Sequence, residues 1–155
     1  MGSVETYELI IFDDPYVYMF VTKGDKEILK KVTFEDTALD RIYNVAMGDV
    51  NIRTGETDYM ARPDHKFPQK MLATVVKIIY TFPNIYPDFG VIIEGNIDAK
   101  KRVYQMGLHK YFAQLSKDFE IQGMIGEFGD GDSIIERYNK TQKYDAIIAR
   151  RKQMS

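Results

Sequence analysis

The chain has 155 residues, 45% of them hydrophobic and 28% charged, with a formal net charge of −2. That length suits one domain, residues 1–155, around a single core, and no apolar run approaches the roughly 18 residues of a membrane span. The absence of cysteine removes disulfides, thiolate metal sites and cysteine nucleophiles, and it makes a reducing compartment, the cytoplasm, the expected location.

The N-terminus lacks the basic start and apolar stretch of a signal peptide, although Met1-Gly2-Ser3-Val4-Glu5-Thr6 fits the loose acylation pattern. Charge is unevenly spread. Residues 1–60 hold 12 acids and 6 bases, whereas 97–117 and 139–155 each hold five bases and one acid. Such basic segments allow a local anion-binding patch or serve only as solvated faces.

From Tyr7 to Phe34 the chain reads as short strands: YELIIF, a turn at Asp13-Asp14-Pro15, YVYMFV, a turn at Lys23-Gly24-Asp25-Lys26, then EILKKVTF. These N-terminal strands occupy residues 1–40. A second hairpin joins RIYNVAMGDVNI to TDYMA through Arg53-Thr54-Gly55-Glu56. After Arg62-Pro63-Asp64 the period lengthens, and Leu72, Val75, Val76, Ile79 and Phe82 predict a helix over roughly 68–82, with Pro68 in its first turn. The segment Pro83–Asp88 ends it. The run FGVIIEG is continuously apolar, as in a central strand covered on both faces.

The next helix, about 98–116, places Tyr104, Leu108, Tyr111, Phe112 and Leu115 on a core stripe, with Asn96 or Asp98 as N-cap and Lys100, Lys101 and Lys110 mainly outside the stripe. FEIQGMI, SIIERYN and YDAIIARRK then read as closing strands, the first two separated by the turn GEFGDGD. The order of strands, helix, strand, helix, strands predicts an α+β fold: a mainly antiparallel sheet, with room for one parallel pair, and two helices packed on it.

The chain resembles an uncharacterised family of small α+β proteins found mostly in Bacteroidetes. The matching residues are Gly48-Asp49, Thr54-Gly55-Glu56 with Asp58, Lys70 followed by MLATV, Tyr86-Pro87-Asp88, Gly95-Asn96, Lys101-Arg102 with Tyr104, Met106-Gly107, Lys110-Tyr111, FEIQG, and Tyr144 through ARRK. They span roughly 44–152, within a family-like core of 41–152. Where the family usually has Gly-Ser this chain has Gly95-Asn96, and a second Arg common near Ala99 or Lys100 is missing. The resemblance implies a bacterial source and supplies no activity.

The strongest candidate site is the turn after the central strand. Gly95 permits close backbone approach, and the N–H groups at a helix start favour anions. Gly95, Asn96, Lys101, Arg102 and His109 form the expected anion-binding set. Arg102, Gln105 and His109 share one helical face, and Arg102 offers a bidentate fork. The competing readings are a capped structural joint, an internal salt bridge at Arg102 and a packing role for His109.

Asp49 continues the inward parity of Tyr43, Val45 and Met47, and Gly48 is placed to host a bulge. Asp49, Glu94 and Asp58 form a second candidate set, similar to the metal-binding carboxylates of RNase H-like nucleases, although the helix 68–82 carries no acid to complete such a site. The acidic stretch Gly126–Ser133 lacks EF-hand spacing and reads as a turn, and His65 and His109 are too far apart in sequence to suggest zinc. No cofactor and no metal are expected. The expected function is a small cytoplasmic bacterial binding or regulatory domain, engaging an anionic group such as nucleic-acid phosphate, rather than an enzyme. The alternatives are a protein-interaction module or homo-oligomer joined through aromatic strands or a sheet edge, and a divalent-metal-dependent nuclease. No membrane partner is expected.

Overall fold

The computed structural model describes residues 5–24, 26–39, 41–61, 68–85, 89–94, 98–127 and 130–152. The N-terminal antiparallel meander consists of β1 (Ile10–Ile11), β2 (Val17–Lys23), β3 (Glu27–Asp36) and β4 (Ile42–Val50), with the short β5 (Thr57–Asp58) turned back onto β4. Helix α1 (Pro68–Ile85) leads to β6 (Gly90–Glu94), and α2 (Asp98–Asp118) leads to β7 (Phe119–Ile125), β8 (Ile134–Arg137) and β9 (Ala146–Arg151).

Among the described residues these nine strands form one sheet of order β1-β2-β3-β4-β6-β9-β7-β8, with β5 beside β4. Among the described residues only β4 and β6 pair in parallel, Ile42 to Val45 against Gly90 to Ile93, with α1 in the crossover that parallel neighbours require. The last strand, β9, inserts between β6 and β7 and is antiparallel to both. The fold is therefore α+β with a mostly antiparallel sheet. Among the described residues no helix is long and apolar enough to cross a membrane.

Alternation along the strands fills one main core between sheet and helices. Tyr18 and Phe20 of β2, Val32 and Phe34 of β3, and Val45 and Met47 of β4 meet Leu72, Ile78, Ile79 and Phe82 of α1. Phe82 stacks on Phe34 with ring centroids 3.9 Å apart and also meets Tyr43 and Phe89 edge-on. The opposite face carries a smaller cluster of Ile42, Ile92, Met124, Ala146 and Ile148. β6 contributes Val91 to the first cluster and Ile92 to the second, which accounts for its unbroken apolar run.

Three local expectations need correction. Of YELIIF only Ile10 and Ile11 form strand, because the Tyr7 N–H instead donates to Thr74 Oγ1 (2.8 Å), itself donating to the Lys70 carbonyl (2.7 Å). The helices run on to Ile85 and Asp118. Gly48 hosts no bulge: the β3–β4 register passes through Lys31↔Gly48 and Lys30↔Asp49 without interruption.

Candidate functional site

One edge of β4 has two successive neighbours. Residues Ile42 to Val45 pair with β6, and Asp49 and Val50 pair with β5. Between those ladders, the backbone from Ala46 to Gly48 meets a side chain from α2. The Lys100 ammonium donates to the Met47 carbonyl (2.9 Å) and to the Tyr59 carbonyl just beyond β5. Lys100 is only 4% exposed. Burial lowers its pKa, with Lys30 acting in the same direction and Asp49 and Asp58 opposing it.

Lys100 belongs to the buried face of α2, three residues before Val103 and seven before Gly107, both of which are also buried. The expectation that it falls outside the core stripe is therefore overturned. The same 3.6-residue period that selected Tyr104 and Leu108 also includes position 100, so the signal was present in the sequence.

Beside Lys100 lies a cross-strand row of charge. Register places Lys30 opposite Asp49 and Asp49 opposite Asp58. The Lys30 ammonium is 2.5 Å from Asp49 Oδ1, and Lys30 is 3% exposed. Its alternation with Val32 and Phe34, both buried, shows why this lysine points inward. Gly48 lets β5 approach β4 closely: a Cβ there would stand 2.6 Å from Thr57 Cγ2 and 2.9 Å from the Asp58 carbonyl oxygen.

A cavity of about 220 Å³ opens at this gap, with Asn44, Met47, Tyr59, Glu94, Lys100 and Tyr104 among its walls. It lies by the carboxyl ends of the parallel β4–β6 pair, the usual position for ligands in sheets crossed by helices. Asn44 Oδ1 is buried without a hydrogen-bond partner among the described residues, so it offers a guest one acceptor, which takes a donor group and not an anion. Burial pushes the Tyr104 phenol up to about 12. Glu94, exposed at the end of β6, is raised first by burial and then by Glu127, with Lys101 opposing and Asp145 adding to the rise. An ammonium has three donors, and the two carbonyls engage two of those of Lys100. The third donor can therefore take one small hydrogen-bond acceptor, with the Glu94 carboxylate in the same cavity wall.

The residues expected from the sequence are distributed differently. Gly95 and Asn96 lie outside the described residues, as does His65. Lys101 is tied to Asp145 at 3.0 Å, and that carboxylate also accepts the Gly126 N–H at 2.8 Å; both contacts hold its pKa below the ordinary carboxylate value. Arg102 is exposed. His109 is exposed and meets the Tyr138 ring at 5.9 Å. Seven residues of helix, about 10 Å, separate Arg102 from His109.

The carboxylate set also divides. Asp49 shares the sheet face of Val45 and Met47, toward the helices, whereas alternation gives Glu94 the face of Ile92. Asp58 accompanies Asp49 alone. Two metal ions need several carboxylates converging on one small volume, and Asp49, Glu94 and Asp58 do not converge. Among the described residues no group of three or more His, Cys, Asp or Glu is placed to hold a metal ion. In the acidic stretch, Asp130 Oδ1 accepts the Asp132 N–H at 3.1 Å, an ordinary turn contact.

The model of a family of unknown function, DUF6934, matches residues 3–152. The match takes in the N-terminal strands, which the motif resemblance had largely left out. No curated protein and no solved structure matches the chain.

Proposed function

The chain belongs to the DUF6934 family, a family of unknown function, and from that premise we propose a small binding or regulatory domain that holds an anionic group beside Lys100, near the turn from β6 into α2. The supporting observation is a buried ammonium, anchored by the Met47 and Tyr59 carbonyls, in the wall of a cavity of about 220 Å³. The start of α2 adds positive potential at the same end of the sheet. A recessed cavity suits the carboxylate or phosphate of a small molecule better than a polymer backbone that runs across a surface.

The test is an NMR titration of the labelled protein with inorganic phosphate, acetate and a short single-stranded oligonucleotide, repeated on Lys100→Met. Saturable shifts at residues 46–48, 59 and 98–104 that vanish in the variant support the site. Shifts confined to Arg102 and Lys110 with the oligonucleotide would return the anion site to the helix surface.

A second reading has its own observation. β8 is an edge strand, exposed throughout, and carries Ile134 at 55% and Ile135 at 47% exposure. Open edges with apolar side chains invite pairing with another chain, and a second copy is the simplest partner. Light scattering would show a dimer for the wild type and a monomer for Ile134→Lys; a wild-type monomer at all concentrations counts against this alternative.

A further inference from the structure

We propose that the anion is the carboxylate of a small amphipathic molecule, whose short apolar body enters a second chamber between the two helices and the sheet. This rests on the anion site proposed above and adds the chemical class of its occupant. The second chamber, about 60 Å³, is walled by apolar groups, including Leu72, Val76, Ile79, Leu108 and Ile147. Tyr104 lines both chambers, so the wall with the Lys100 ammonium and the hydrocarbon-walled space share this residue. That combination complements a head of one negative charge joined to an apolar tail.

The dimensions limit the tail. Alone, the apolar chamber is smaller than the ~150 Å³ space that accepts a benzene ring, and the polar chamber beside it is larger. A bare anion would leave the apolar chamber unused, and a neutral hydrocarbon would leave the third donor of Lys100 without a guest. α1 and α2 come close where Leu72 reaches over Gly107: a Cβ on Gly107 would lie 2.9 Å from Leu72 Cδ2. Leu72, a wall of the chamber, is therefore packed directly on α2 where Gly107 leaves room for it. The phenol of Tyr104 keeps its proton to about 12, so it remains neutral beside a bound carboxylate.

Hexanoate is the probe, with acetate as the head alone and hexylammonium as the reversed charge, each titrated calorimetrically into the full chain. Hexanoate is expected to bind more tightly than acetate by about fourfold for each methylene buried, and hexylammonium is expected not to bind. Val76→Phe, which fills the apolar chamber from a half-buried position on α1, should remove the advantage of hexanoate while acetate still binds; if that variant does not fold, Val76→Leu should show a smaller loss. Equal affinity for acetate and hexanoate would overturn the inference and leave the anion site standing. Binding of neither, or hexanoate binding unchanged in Lys100→Met, would overturn the anion site as well. Hexylammonium binding as tightly as hexanoate would show that the charge at Lys100 plays no part, and would also overturn the inference.

Discussion

Lys100 Nζ and the Met47 carbonyl oxygen lie 2.9 Å apart although 53 residues separate them in the chain. The contact fastens the first turn of α2 to the part of the β4 edge between the β6 and β5 ladders, where a main-chain acceptor would otherwise be short of a strand partner. Lys100→Met keeps the apolar stem and removes the donor. We expect this variant to lose about 1–3 kcal/mol of stability, the usual cost of stranding buried polar groups, together with anion binding; urea denaturation and calorimetry measure the two effects.

The Lys30–Asp49 pair should behave as a unit. Removing one partner of a buried ion pair commonly costs about 3–5 kcal/mol, but the Asp49 side chain keeps 26% of its surface exposed, so for Lys30→Met we expect about 2–3 kcal/mol. Lys30→Met combined with Asp49→Leu should recover a large part of that loss. A double-mutant cycle by chemical denaturation checks this: strictly additive single effects would show that the pair is energetically uncoupled.

Gly48→Ala should be costly for lack of space, since its Cβ would overlap Thr57 Cγ2 and the Asp58 carbonyl. The hairpin must retreat, at about 1–3 kcal/mol for overpacking. Because that retreat also moves Tyr59, whose carbonyl accepts from Lys100, anion affinity should fall with stability. Gly55→Ala provides a control. Its cost, about 1–2 kcal/mol, comes from a φ of 75° with open space around it, and it should leave binding intact.

Two carboxylates at the end of the sheet predict opposite pH slopes. Glu94 is raised above its ordinary 4.5, chiefly by burial. It binds a proton more readily in the folded state, so its contribution is present below 4.5 and is lost as pH rises through the folded value. Glu94→Gln should therefore be slightly more stable than wild type at neutral pH, and the gap should close in acid. Asp145 lies below its ordinary 3.8, first through the Gly126 N–H and then through Lys101. Its contribution is present above 3.8 and is lost as pH falls through the folded value, so Asp145→Asn should be less stable at neutral pH and approach wild type in acid. Urea midpoints across that range test both signs.

Local periodicity determined much of this protein. Alternation in VYMFV, ILKKVTF and IYNVAMGD specified which side chains point into the core, including the inward Asp49, and the unbroken GVIIE announced a strand covered on both faces. Position 100 is legible too, being in phase with Tyr104 and Leu108; a lysine there reads as solvent-facing because charged residues ordinarily stay at the surface. Periodicity states which face of an element is buried but not what lies opposite. The insertion of β9 between β6 and β7, the gap on β4 that Lys100 fills, the meeting of Asn44, Tyr59 and Tyr104 around one cavity, and the separation of Glu94 from Asp49 onto opposite faces were decided by pairings between distant segments. Those pairings depend on the summed burial of the whole sheet and both helices, which no single segment encodes.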